Sequence, residues 1–258
     1  MSEERELSYE PHVAAGEQCI ALTADFRLTQ KLRGHRYSVD DMLVAHLAAT
    51  QDLTPRRVLD LGCGLGSVLL IMAWAFRRAS FIGVEALEEH VHYARRNVAL
   101  NRCQSRVRIV KGDLRDASLL DPLGRFDLIT GSPPYFLPGS GTLCADPARA
   151  AAHFELRGGI EDYAQAATRC LAPHGLFACC ASAAPPQRAT AAFEDAGLTT
   201  VFRQPVVPRE GKAPFLLLLV GQKPHQAPCP DAPALVLRQA DGLRTAEHIA
   251  IREWTGLP

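Results

Sequence analysis

Arg57-Val58-Leu59-Asp60-Leu61-Gly62-Cys63-Gly64-Leu65-Gly66 decides the fold. Its first half is a short apolar run with strand character, and the ten residues that follow, Ser67 to Phe76, form an apolar stretch of helical length. Between them three glycines at alternate positions let the backbone turn sharply and approach a ligand that a Cβ would exclude. A glycine trio carries weight in this strand-turn-helix setting and little outside it. The spacing is G-x-G-x-G, and an acidic residue, Asp60, precedes it. Both features point to a nucleoside ligand and away from a dinucleotide.

Outward from this loop, apolar strand-like runs alternate with helical patterns, the signature of βαβ units in a parallel sheet. Residues 80–85 (SFIGVE) form a second strand, followed by an amphipathic stretch from Glu88 to Asn101. VRIVKGD, FDLITGSPPY and GLFACCAS supply strands three, four and five. After Leu198, TTVFRQPVVPRE and KAPFLLLLVGQ predict two strands closing the sheet as a hairpin. The expectation is a mostly parallel seven-stranded α/β sheet with an antiparallel C-terminal hairpin and helices on both faces. Gly34 to Ala49 reads as a loop entering a helix, with Ser38 or Asp40 as N-cap. Three regions follow: an N-terminal extension with a cofactor-side helix (1–50), a core (51–222), and a C-terminal extension packed on the core (223–258). The tail is Pro-rich at first and turns at Asp241-Gly242. Between strands four and five, residues 137–158 are rich in Gly, Pro and Ala, and such long loops are commonly functional. We expect a substrate-facing lid there.

Composition narrows the class. With 47% hydrophobic and 22% charged residues the chain has the make-up of a soluble globular protein. The net charge of zero gives a nucleic-acid partner no global support, although a neutral total can hide a basic face. The acidic start lacks a secretory pattern, and the apolar run from Phe215 to Val220 is too short to span a bilayer, so a cytoplasmic protein without membrane association is expected. Eight cysteines without a C-x-x-C pair predict no metal site. Cys179 and Cys180 read as small buried strand residues.

Carboxylates end three successive strands: Asp60, Glu85 and Asp113, the last followed by Leu114. Polar residues at strand termini are common, but open α/β sheets bind ligands along this edge, and the set beside a glycine loop points to one shared ligand. A carboxylate at Glu85 can accept two hydrogen bonds from a cis-diol. Directly after strand four comes Ser132-Pro133-Pro134-Tyr135. Two prolines stiffen this loop, and neither ring nitrogen can donate.

These residues resemble the class I S-adenosylmethionine-dependent methyltransferases, whose first motif reads D-x-G-x-G-x-G. The resemblance implies a Rossmann-like fold and S-adenosylmethionine as cofactor. It assigns Gly62, Gly64 and Gly66 to the cofactor loop, Asp60 to the methionine end, Glu85 to the ribose, and Asp113 with Leu114 to the adenine. Ser132-Pro133-Pro134-Tyr135 resembles the [N/D/S]-P-P-[Y/F/W] motif of amino-methyltransferases. There the first side chain and a proline carbonyl accept hydrogen bonds from a planar amine, and the aromatic residue offers a π face to a flipped base. The stretch from about Gly34 to the C-terminus is similar to the bacterial adenine-N6 methyltransferases of valine tRNA. GSPPYF, VVPREGKAPFLLLLVGQK and DGLRTAEHI carry that likeness. It implies structured RNA, a tRNA, as partner, with one departure: Ser132 stands where those enzymes have Asn. N-methylation of a protein glutamine or a small molecule, and a silent cofactor-binding subunit, are the competing readings. Arg33, His35, Arg36, Arg203, Arg209 and Lys212 are candidate phosphate contacts or a solvated face, and Arg149, His153 and Arg157 read as solvent-facing residues that confer solubility.

Overall fold

The structure is a computed structural model that describes residues 13–136, 154–224 and 231–257. Of the expected lid, residues 137–158, the part from 137 to 153, with Arg149 and His153, lies outside the described residues. Eight strands form the main sheet: β3 (Arg57–Leu61), β4 (Ser80–Glu85), β5 (Val107–Lys111), β6 (Phe126–Gly131), β7 (Leu171–Ser182), β8 (Thr199–Val207), β9 (Leu216–Gln222) and β10 (Leu235–Val236). Their order is β10-β8-β9-β7-β6-β3-β4-β5. Strands β3 to β7 pair in parallel, whereas β9 is antiparallel to both β7 and β8. The seven expected strands are all present. The eighth, β10, comes from the C-terminal segment and pairs in parallel with β8. At two residues it is too short to show a period. A separate antiparallel ribbon of β1 (Glu17–Ala21) and β2 (Arg27–Lys31) precedes the sheet; its mixed polar sequence gives no strand signal.

Alternation along each strand divides the core in two. In β9, Leu216, Leu218 and Val220 face one layer, and Leu217 and Leu219 the other. The first layer is filled by α1 (Val39–Ala49), α2 (Ser67–Ala75), α3 (Glu88–Leu100) and α7 (Ala246–Trp254). The second holds α4 (Ala117–Leu120), α5 (Ile160–Cys170) and α6 (Arg188–Asp195). Cys179 and Cys180 are fully buried on opposite faces of β7, as the sequence suggests. Ser38 is the N-cap of α1, and the Asp41 carboxylate accepts its N–H at 3.2 Å. No described helix is long and apolar enough to cross a membrane. Because β3 to β7 run parallel, the loops after β3, β4, β5 and β6 emerge at one edge, and the site is built there.

Candidate active site

The glycine loop owes its shape to φ values that side chains avoid: +62° at Gly62, +53° at Gly64 and +84° at Gly66. Its floor is tied to β4 by Cys63 N–H donating to the Val84 carbonyl at 3.0 Å. Gly62 and Gly64 line a cleft of about 960 Å³, counting its open mouth. A Cβ at Gly62 would run into the Tyr163 hydroxyl, and one at Gly64 would come within 3.3 Å of His35 Nε2. Gly66 departs from the expected set, because it does not line the cleft. It caps the N-terminus of α2 and faces Ala94 of α3, whose Cα and Cβ lie 3.7 Å from the position a Cβ would take. Its requirement for glycine is the turn and helix packing.

Asp60, Glu85, Asp113 and Leu114 all line the same cleft. Asp60 is 2% exposed; its Oδ1 accepts the Thr130 hydroxyl at 2.8 Å, while Oδ2 is buried with no hydrogen-bond partner among the described residues. Burial first, and the Glu85 charge in addition, push its carboxyl up to about 7. Glu85 holds the loop in register: Oε2 accepts the Gly64 N–H at 2.9 Å and Oε1 the Leu87 N–H at 2.8 Å. Burial raises its pKa, and these backbone donors pull against that shift. Asp113 is held in a fork by Arg115, with Nε–Oδ1 at 2.9 Å and Nη2–Oδ2 at 2.7 Å, which keeps its carboxyl below the ordinary range. Leu114 beside it is buried.

Two further carboxylates reach the cleft from the start of α1. Asp41 accepts the Ser67 hydroxyl at 2.9 Å, and burial, with Asp40 nearby, raises its pKa well above the ordinary value. Asp40 accepts the Tyr135 hydroxyl at 2.6 Å. Asp40, Asp41, Asp60 and Glu85 thus surround one space with His35 at its margin, an acidic lining suited to a cation. Arg157, which the sequence places among the solvent-facing residues, is exposed and also borders this cleft.

Ser132, Pro133, Pro134 and Tyr135 form another wall of the cleft. The Ser132 hydroxyl is buried without a hydrogen-bond partner among the described residues; it sits beside the Cys180 thiol without bonding geometry. Thr130, two residues before it, binds Asp60 across the β3–β6 pairing, so one unpartnered oxygen lies on β3 and the other on the loop that follows its neighbour β6. The Tyr135 hydroxyl, between Asp40 and Cys180 Sγ (3.0 Å), is fixed in the core rather than free at the surface. Phe136, the next residue, is exposed, 50% accessible, with its ring 5.8 Å from that of Phe154. Sequence reasoning missed Asp40, Asp41, Tyr163 and Cys180. The acidic pair is visible as an N-terminal helix charge, but its approach to Tyr135 spans 95 residues.

A sheet with its glycine loop after β3, acidic residues closing β3 and β4 and following β5, and a Pro-Pro loop after β6 defines a class I S-adenosylmethionine-dependent methyltransferase. Residues 58–138 match the Methyltransferase domain family. The chain is 31% identical over 198 residues to a tRNA1(Val) (adenine(37)-N6)-methyltransferase of Aeromonas salmonicida, covering 76% of this chain and 80% of that one. A protein of the same description from Tolumonas auensis is 30% identical over 204 residues, covering 77% and 81%. The chain belongs to this methyltransferase family. Among solved structures, a predicted O-methyltransferase of Agrobacterium tumefaciens superposes with a TM-score of 0.65 at 18% identity, covering 85% of this chain and 98% of that one, and shows the same fold.

The residues fit S-adenosylmethionine. The unpartnered Asp60 Oδ2 and the acidic lining suit a ligand bearing ammonium and sulfonium charges, and Gly62 and Gly64 line the same space. Among the described residues no group of three or more His, Cys, Asp or Glu could hold a metal ion.

Proposed function

We propose that the protein transfers a methyl group from S-adenosylmethionine to N6 of an adenine in a tRNA. The observation that carries this reading is the Ser132 hydroxyl, buried and without a hydrogen-bond partner among the described residues, in the cleft that also holds the residues that fit the cofactor. The names of the relatives, which specify adenine N6 in a valine tRNA, support this choice of substrate. The cofactor, when bound, supplies an electrophilic methyl group on a positively charged sulfur.

The protein's part is placement. An exocyclic amine is a poor nucleophile while its lone pair is delocalised into the ring. Ser132 Oγ, with two lone pairs, accepts one amine hydrogen, and the Pro133 carbonyl accepts the other. These bonds favour a pyramidal nitrogen with its lone pair directed at the methyl group. Serine replaces the longer Asn arm of the resembling enzymes; it keeps an acceptor but brings the amine nearer the loop. Tyr135 lines the pocket with a ring locked by Asp40, so the base meets a prearranged wall. Asp60, Glu85 and Asp113 hold the methionine end, ribose and adenine of the cofactor, with Leu114 against the purine. Gly62 and Gly64 admit the ligand, and Gly66 turns the chain into α2. Alignment of nitrogen, methyl and sulfur then supplies most of the rate enhancement.

Incubation with cofactor labelled in its methyl group and, separately, tRNA, protein extract and buffer tests this reading. Label is expected in tRNA. Ser132→Ala should slow transfer by roughly 10²-fold with cofactor affinity unchanged, in line with the loss of one positioned transition-state partner. Label confined to protein or to small molecules, or equal transfer by Ser132→Ala, contradicts it.

A further inference from the structure

The loops after β3, β4, β5 and β6 build the cleft described above, and β8, β9 and β10 bring two further loops to the same edge that the chemistry leaves unused. β9 is antiparallel to β7 and β8, so the turn between β8 and β9, residues 208–215, stands at the edge where β7 ends, with Ser182 paired to Leu216. Phe215 fixes it there, donating to the Val206 carbonyl at 2.9 Å and accepting the Ala183 N–H at 3.2 Å. Because β10 runs parallel to β8, the chain after it, residues 237–245, emerges at the same edge. The two loops are joined: Glu210 N–H donates to the Arg238 carbonyl at 2.8 Å, and Ala240 N–H to Glu210 Oε2 at 3.2 Å. A Cβ on Gly242 would lie 3.7 Å from Arg209 Nη2.

The joined loops present Arg209, Lys212, Arg238 and Arg244, all exposed, against Glu210 and Asp241, in a chain whose total charge is zero. Arg209, Lys212 and Arg244 form no ion pair among the described residues. Arg203, grouped with them by sequence, differs: it is engaged by Asp231 at 2.8 Å and by the Pro186 carbonyl. Continuity with the cleft runs through α7. That helix follows the 237–245 loop and packs on α1, with the rings of Trp254 and His46 5.2 Å apart, and the start of α1 lines the cleft through Asp40 and Asp41.

We propose that this rim, Arg209, Lys212, Arg238 and Arg244 on the β8–β9 turn and the 237–245 loop, binds the sugar-phosphate backbone of the RNA whose base enters the cleft. The proposal rests on the RNA reading above and gives it a docking surface. Guanidinium and ammonium groups without carboxylate partners are the groups that engage phosphates, and such interactions set the orientation of a nucleic acid without reading its sequence. Their place on the substrate half of the catalytic edge lets one RNA touch the rim while a base reaches Ser132. Glu210 ties the β8–β9 turn to the 237–245 loop, so the cationic side chains are presented by a backbone already held.

The test uses the full-length protein and an unmodified transcribed valine tRNA. The wild type and the R209Q/K212Q/R244Q variant are compared for tRNA KM, kcat, and the slope of log affinity against log salt. KM is expected to rise roughly tenfold or more, with cofactor affinity unchanged and the slope shallower by about 0.7–0.9 for each phosphate no longer engaged. The charge-retaining R209K/R244K variant should keep most of the affinity. If KM and slope are unchanged in the glutamine variant, the rim proposal falls while the reaction stands. A wild-type affinity that does not respond to salt overturns it as well, independently of any variant. If the wild type neither binds nor methylates tRNA, the RNA reading itself fails.

Discussion

Lowering the pH from 8 to 6 should weaken cofactor binding about tenfold through Asp60 alone. Its carboxyl is pushed up to about 7 by burial and by Glu85. At pH 8 it is about nine-tenths ionised and at pH 6 about one-tenth. A cation placed at the unpartnered Oδ2 binds the ionised form, so the association constant falls by the same ratio, about 1.4 kcal/mol. At pH 7 about half a proton should leave Asp60 for each ligand bound. Titration calorimetry in buffers of different ionisation enthalpy reads both affinity and proton release. The ligand's own amine also titrates, so the informative quantity is the difference from Asp60→Asn. That variant should bind roughly 10- to 100-fold more weakly at pH 8, as expected for losing a charged hydrogen-bonding partner, and should lose the Asp60 proton. Equal pH profiles in the two proteins, or equal affinity at pH 8, would refute the assignment of Asp60 to the cationic end of the ligand.

Glu85→Ala removes both the ribose acceptor and the two backbone hydrogen bonds from Gly64 and Leu87; cofactor affinity should fall by about 1.5–3 kcal/mol in calorimetry, and unchanged affinity contradicts its role. Tyr135→Phe leaves the ring but releases it from Asp40, so we expect a loss of about 1 kcal/mol in urea unfolding and slower transfer at normal cofactor affinity. Gly62→Ala places a Cβ against the Tyr163 hydroxyl at a positive φ, and should lower stability by about 1 kcal/mol or more and impair cofactor binding. Arg188 clasps the Glu155 carboxylate through two hydrogen bonds of 2.7 Å. Arg188→Ala strands that carboxylate; thermal unfolding should show a loss of about 2 kcal/mol in stability, and Arg188→Lys should recover part of it.

The parallel core was legible because each strand is an apolar run with its own helix behind it, and β3, β4 and β6 fall where those runs fall. The hairpin was legible because Leu216 to Gln222 is too apolar to be anything but a buried strand. The β1–β2 ribbon was not, since Glu17, Gln18, Arg27 and Gln30 break the alternation that marks a half-buried strand. In the site, residues on consecutive loops at one edge could be gathered from strand order alone. The clamp of Asp40 on Tyr135 could not, because it depends on how α1 lies across the end of β7, a tertiary choice with no local signature. Gly66 shows the reverse case: its φ of +84° explains the glycine, yet the motif alone does not distinguish a turn from a ligand contact. Tyr135 lines the cleft, but its anchored hydroxyl, which no motif announces, reflects burial of a polar tip that needs partners.

Mass spectrometry of nucleosides from tRNA incubated with the purified protein and S-adenosylmethionine tests the central claim most directly. The account predicts N6-methyladenosine, formed in proportion to enzyme and greatly reduced with Ser132→Ala. A different methylated nucleoside, or no modified nucleoside from a protein that binds the cofactor normally, would contradict it.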